Sequence, residues 1–203
     1  MTELWELENE IYAEGFELIC GVDEAGRGPL AGPVCAAAVI LPRGVEIAGL
    51  DDSKKLSEKK RNEMFQIISD RALAIGTGMA DNNTIDEINI LNATKQAMRQ
   101  AVAEAEKQLG DAIGHVLVDA VTIEGIGNEQ TAIIKGDAKS ISIAAASIIA
   151  KVTRDNMMKE YALEYPYYAF ESNKGYGTKA HYQGINEHGI TPIHRKTFLK
   201  GIL

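Results

Sequence analysis

The chain has 203 residues, 45% hydrophobic and 25% charged, a size and balance that suit one globular domain over residues 1–203 and exclude disorder. No apolar run reaches the roughly 18 residues a membrane span needs. The N-terminus carries Glu3, Glu6, Glu8 and Glu10 where an export signal would be basic and then apolar, so a soluble, cytoplasmic protein is expected. The formal charge of −8 speaks against a polyanionic partner, but it is unevenly spread. Residues 135–203 carry ten Lys or Arg against six Asp or Glu, a local +4 beside −12 elsewhere, and a basic third of that kind can still meet phosphates.

In chain order, residues 3–14 read as a short helix. Runs 16–24 and 33–41 are apolar and of strand length, and a glycine-rich turn separates them, which predicts a hairpin-like pair. Their cysteines, Cys20 and Cys35, read as small buried hydrophobes of a reducing compartment. Residues 51–72 place Leu56, Met64, Ile67 and Ile68 at helical spacing. Residues 73–80 read as a strand. The segment 84–109 reads as a long helix with a Thr84/Glu87 capping box, a stop at Gly110 and an apolar stripe of Ile88, Leu91, Met98, Val102 and Leu109. Short strands are expected at 115–120 and 131–137, each ending in an acid. An alanine-faced helix follows over 140–165, then an irregular stretch, a helix at 178–188 and a basic tail. Strands first, then alternating helix and strand, imply an α/β chain with a mixed sheet and helices on its faces.

Asp23 and Glu24 close the first strand, Asp119 closes the "VLVD" run, Asp137 follows "IIKG", and Asp155 lies in the alanine-faced helix. A carboxylate after an apolar strand is poorly hydrated and needs a compensating partner. Taken singly, each reads as well as a cap or a turn residue. As a group they do not, because Asp119 precedes no helix and Ser140 already caps the one after Asp137. Asp155 has Lys151 one turn back, and a surface ion pair rivals any site role for it. If the acids meet, the all-carboxylate set suits hard ions, Mg²⁺ or Mn²⁺ and not zinc. Two such ions about 3.5–4 Å apart are the usual means of in-line displacement at a phosphodiester. Neighbours on a strand point to opposite faces, so Asp23 and Glu24 can share a site only if the chain leaves regular strand geometry there. Regular pairing beyond residue 26 would exclude it.

The turn "GRGPLAG" is one residue too long for a dinucleotide fingerprint, and Pro29 removes an N–H where a phosphate cradle would want one. Beside two acids, bare backbone plus Arg27 suits contact with a sugar and its phosphate; a tight turn between strands is the plainer alternative.

The blocks "GVDEAGRGPLAGPV", "DDSKKLSEKKR", "NATKQAM", "VLVDA", "IIKGDAKSISIAAASIIAKVTRD", "KGYGTKAHY" and "GITPIHRKTF" run in order as in bacterial type 2 ribonuclease H, ribonuclease HII, which the chain resembles from about residue 17 to 198. The "GRG" turn, in place of a "GTG"-like one, favours type 2 over type 3. The resemblance implies a ribonuclease H-like fold, a five-stranded mixed sheet flanked by helices. It also implies cleavage of the RNA strand of RNA–DNA hybrids and nicking 5′ of ribonucleotides embedded in duplex DNA, leaving a 3′-hydroxyl, with two divalent ions. The family's acid quartet falls on Asp23, Glu24, Asp119 and Asp137, with Asp155 as a further acid near the metals. Its 2′-hydroxyl-reading turn falls on Gly26, Arg27 and Gly28, and the sugar-packing tyrosine on Tyr176. An extra helical extension and a clamp-binding tail peptide, carried by some relatives, are expected to be absent.

Lys54, Lys139, Lys174, Arg195 and Lys196 are candidates for the DNA backbone, with exposed solubilising charge as the alternative. His181, His188 and His194 are not expected to be metal ligands, and His194 reads as a structural hydrogen-bonder or phosphate contact. A monomer is expected. Two other readings remain at this point: a non-catalytic nucleotide- or nucleic-acid-binding protein using the glycine turn, and a nuclease of the integrase or resolvase kind.

Overall fold

The computed structural model describes residues 3–50 and 56–201. Five strands form one sheet: β1 Ile19–Ala25, β2 Val34–Ile40, β3 Ala74–Ala80, β4 His115–Asp119 and β5 Glu129–Ile133, in the order β3-β2-β1-β4-β5. β1, β2 and β3 pair antiparallel, while β1–β4 and β4–β5 are parallel. Central β1 and β4 therefore deliver their C-terminal acids, Asp23 and Asp119, to the same edge of the sheet. The helices are α1 Glu6–Ala13, α2 Glu58–Arg71, α3 Asn82–Leu109, α4 Ile141–Glu164, α5 Phe170–Asn173 and α6 Lys179–His188. Among the described residues no helix is long and apolar enough to cross a membrane.

Every residue of β2 is buried, which is why it reads as an unbroken apolar run and not as an alternation. One face of the sheet packs on α4 through Ile19, Ala37, Val39 and Leu117 with Ile143, Ala144 and Ile148. The other packs on α3 through Val22, Ala36 and Val118 with Ala97, Met98, Ala101 and Val102. Burial of each large side chain among these contributes about 1.5–3 kcal/mol relative to exposure. A third, smaller core joins Leu30 and Ala31 to Met158, Tyr168, Phe170, Ile185 and Ile193. Cys20 and Cys35 are free and buried, as expected.

The α4 helix starts almost on β1. A Cβ at Gly21 would stand 2.1 Å from the Ser142 carbonyl carbon, so no larger residue fits there. Ser140 caps the helix by accepting from the Ile143 N–H, as its sequence suggested. That close start carries Ser147, two turns on, over Asp23.

Three expectations need correction. The cap of α3 is Asp81, which accepts from the Thr84 N–H, so Thr84 is the donor and not the cap. The helix also breaks at Asn89 (φ 67°), whose Oδ1 accepts from the Leu91 and Asn92 N–H groups, and Leu91 falls off the packed face into solvent. Finally, β5 ends at Ile133, and Asp137 sits in a separate 3-10 turn, Gly136–Ala138, reached through a left-handed Lys135.

Candidate active site

The first test of the acids is the end of β1. Its pairing with β2 continues regularly to Ala25↔Cys35, one residue beyond Glu24, and ends there. Pairing with β4 stops at Val22↔Val118. On the β4 side the two acids are thus already free of the ladder, and at Gly26 the backbone turns into the left-handed region (φ 99°). Asp23 faces α4 and Glu24 the opposite side, yet both line one cavity of about 350 Å³, together with Asp119, Gly26, Arg27, Gly28, Ser147, Lys151 and Tyr176. A larger hollow of about 760 Å³ lies elsewhere, against Trp5, Ile47, Leu50 and Ile67, and is mainly apolar. Chemistry, not size, singles out the smaller one.

Asp23 is buried. Burial first, then the charges of Glu24 and Asp119, push its carboxyl well above the usual carboxylate range, against the Ser147 hydroxyl and the Glu24 N–H that favour the ionised form. The Glu24 N–H donates to Asp23 Oδ1 at 2.7 Å. Glu24 Oε1 meets the Arg27 guanidinium at 3.4 Å. Asp119 Oδ1 accepts from the Gly136 N–H at 2.7 Å, which ties the turn bearing Asp137 to the end of β4. Ala120 (φ 59°) and Lys135 (φ 58°), both left-handed without being glycine, flank this link, and such strain concentrates at functional sites.

These acids fit a divalent ion by chemistry: the donors are oxygens, and the crowding that raises Asp23 is the kind a hard cation relieves. Among the described residues, however, no group of three His, Cys, Asp or Glu side chains is set to hold an ion as it stands. Asp119 is turned onto Gly136, and Asp155, also buried, onto Lys151 Nζ at 2.7 Å. Asp137 is buried in its turn beside Gly136. Neither Asp137 nor Asp155 lines the cavity.

The glycine turn is held from beneath. Leu30 N–H donates to the Gly175 carbonyl at 2.8 Å, which joins the turn to the loop bearing Tyr176. Tyr176 is 45% exposed over the cavity, and a Cβ at Gly28 would stand 3.4 Å from its ring. Arg27 is exposed. Two arginines beneath are not. Arg154 donates to the carbonyls of Ala31, Pro33 and Lys174, and Arg195 to those of Gly26, Arg27 and Gly32.

Two of the basic residues expected on the DNA backbone are therefore misplaced. Arg195 is fully buried under the turn and reaches no duplex. Lys174 is buried too, folded back onto the Glu171 carbonyl. Lys139 and Lys196 are exposed as expected, and Lys54 lies outside the described residues. His181 and His194 are buried and bonded to each other at 2.9 Å, which bears out the structural reading of His194. Sequence reasoning missed Ser147, although Ser147, Lys151 and Asp155 repeat every four residues along one face of α4.

Acids gathered at the carboxyl edge of a mixed sheet, beside a bare glycine turn, define a nuclease of the ribonuclease H-like class. The family model described as Ribonuclease HII matches residues 20–200. Over 196 residues the chain is 57% identical to Ribonuclease HII of Clostridioides difficile (strain 630), covering 97% of this chain and 75% of that protein. It is 54% identical, with the same coverage, to Ribonuclease HII of Acetivibrio thermocellus. Among solved structures, ribonuclease H2 from Pyrococcus horikoshii OT3 superposes with a TM-score of 0.71 at 27% identity, over 91% of this chain and 96% of that one. The chain belongs to the ribonuclease HII family and is a ribonuclease H-type endonuclease.

Proposed function

We propose that the chain, as a single catalytic domain and a monomer, hydrolyses the RNA strand of RNA–DNA hybrids and nicks duplex DNA on the 5′ side of embedded ribonucleotides, leaving a 3′-hydroxyl. One observation carries this reading: Asp23, Glu24 and Asp119 line the same cavity as Gly26–Gly28 and Tyr176, so a phosphate at the acids puts its sugar against the turn. Asp23, Glu24, Asp119 and Asp137 would hold two divalent ions, Mg²⁺ or Mn²⁺, whose Lewis acidity at the phosphate is the chemistry this donor set suits. Asp155 stands behind them, shared with Lys151. The turn offers backbone N–H groups to the ribose 2′-hydroxyl, the one group that separates RNA from DNA at that place. Tyr176 packs on the sugar at the junction. Arg27, Lys139 and Lys196 meet phosphates and set register.

Family membership sets the non-catalytic binder aside. The deciding experiment uses a duplex with one ribonucleotide, incubated with and without Mn²⁺. A nick 5′ of the ribonucleotide, only with the ion and absent from the all-DNA duplex, is the expected result. Equal cutting of both duplexes would point instead to the integrase or resolvase kind.

A further inference from the structure

Arg195 lies entirely out of solvent, and among the described residues no carboxylate stands within ion-pair distance of it. Its Nε donates to the Gly32 carbonyl at 2.9 Å, Nη1 to that of Arg27 at 3.0 Å and Nη2 to that of Gly26 at 2.6 Å. Burying a cation costs several kcal/mol even when it is hydrogen-bonded, and an apolar side chain of the same volume is often the more stable choice. The guanidinium is therefore better explained by the geometry it imposes than by the stability it adds.

That geometry follows from the peptide unit. All described peptide bonds are trans, and across a trans peptide C=O and N–H point in opposite directions. Drawing the Gly26 carbonyl down onto Arg195 turns the Arg27 N–H up. Drawing down the Arg27 carbonyl does the same for the Gly28 N–H. No described residue accepts from either N–H, and both residues line the cavity of the acids.

The residue beside Arg195 performs the same service for the tyrosine. The Thr191 N–H can only donate, and it points at His194 Nδ1 at 2.9 Å, so that nitrogen is unprotonated and the proton sits on Nε2. His194 Nε2–H then donates to His181 Nε2 at 2.9 Å, which leaves the His181 proton on Nδ1, donating to the Tyr176 carbonyl at 2.9 Å. Backbone bonds complete the strap: Gly32 N–H to Ile193 O, and Arg195 N–H to Leu30 O.

We propose that Ile193–Arg195 is the positioning element of the ribose reader, with Arg195 aiming the Arg27 and Gly28 N–H groups at the 2′-hydroxyl and His194, through His181, setting Tyr176 against the same sugar. This rests on the reading of Gly26–Gly28 and Tyr176 given above. Arg195 is a positioning residue and touches no substrate.

The test compares Arg195→Lys with Gly28→Ala in the metal-loaded protein. Two quantities are measured: kcat/KM on a duplex with one ribonucleotide, and the Ki of the matching all-DNA duplex as competitor. Lysine keeps the charge but cannot span three carbonyls. Arg195→Lys is expected to lower kcat/KM by about ten- to a hundredfold, the scale of a small misplacement at a reacting centre, while Ki moves less than about twofold because phosphate contacts alone set it. Unchanged kcat/KM in Arg195→Lys, with the Gly28→Ala variant impaired, overturns this inference alone. A Ki that weakens in step with kcat/KM overturns it too, since that is the mark of a direct duplex contact or of general loosening. Full activity in Gly28→Ala overturns the reading of the turn itself. Should Arg195→Lys fail to fold, amide exchange on the unaltered protein decides. Arg27 and Gly28 N–H groups are expected to exchange freely in the free chain, and protection there overturns the proposal.

Discussion

On either side of the Gly26–Gly28 turn lie two sets of buried charge that the fold treats in opposite ways. Below it, Arg154 and Arg195 each find three backbone carbonyls of the turn and its neighbouring loop. Above it, Asp23 is crowded by Glu24 and Asp119 and, among the described residues, accepts from the Ser147 hydroxyl and the Glu24 N–H. The chain thus surrounds these two cations with its own carbonyls, while Asp23 is left among like charges. A hydrogen-bonded underside and a crowded carboxyl follow from one arrangement: the first holds the turn on which the proposed sugar contact depends, and the second is the kind of crowding a divalent ion relieves.

The largest test of this contrast falls on the acids. Asp119→Asn keeps an oxygen for the Gly136 N–H but loses the charge, so fold and duplex binding should survive while cleavage falls by about a thousandfold or more, the worth of several kcal/mol at the transition state. Retained cleavage with Mg²⁺ or Mn²⁺ would refute the mechanism. Next come the two glycines of the turn. Gly26→Ala puts a Cβ 2.0 Å from Arg154 Nε at a φ of 99°, and should lower stability by about 2–4 kcal/mol in thermal or denaturant unfolding. Gly28 has neither problem, its neighbour being the Tyr176 ring at 3.4 Å. Gly28→Ala should stay within about 0.5 kcal/mol of the wild type while losing selectivity for ribose; equal losses of folding and selectivity would make the turn merely structural.

A smaller effect tests the underside by pH. Burial, then the neighbouring His181, hold His194 down at about 4, and burial lowers His181 as well. Unfolded histidines take up protons near pH 6.5. The pair's contribution is therefore complete above about 6.5 and is lost as the pH falls towards 4. The thermal midpoint should drop across that window, and less steeply in His194→Gln; parallel curves would show that the pair does not titrate with unfolding. The mildest change expected is Asp155→Asn. It breaks the pair with Lys151 but removes nothing that lines the cavity, so cleavage should fall by less than about tenfold. A loss as deep as that of Asp119→Asn would place Asp155 among the direct ligands.

Much of the catalytic edge was legible in the sequence by itself. Apolar runs marked β1, β2 and β4, acids stood at the ends of β1 and β4, and Ser140 announced the start of α4, because strand burial and capping depend on residues within a few positions. Misreadings came where local rules competed. Thr84 with Glu87 fitted the capping-box pattern, yet Asp81 is the cap, and the Asn89 side chain broke a helix that periodicity alone would have continued. Only the tertiary structure decided the roles of Arg195, Lys174, His181 and His194. A charged side chain in a basic tail reads as solvated surface, and its burial depends on carbonyls brought in from far along the chain, such as that of Gly26, 169 residues before Arg195. Spacing in sequence carries no trace of that distance, since the contact exists only once β1, α4 and the C-terminal segment have packed together.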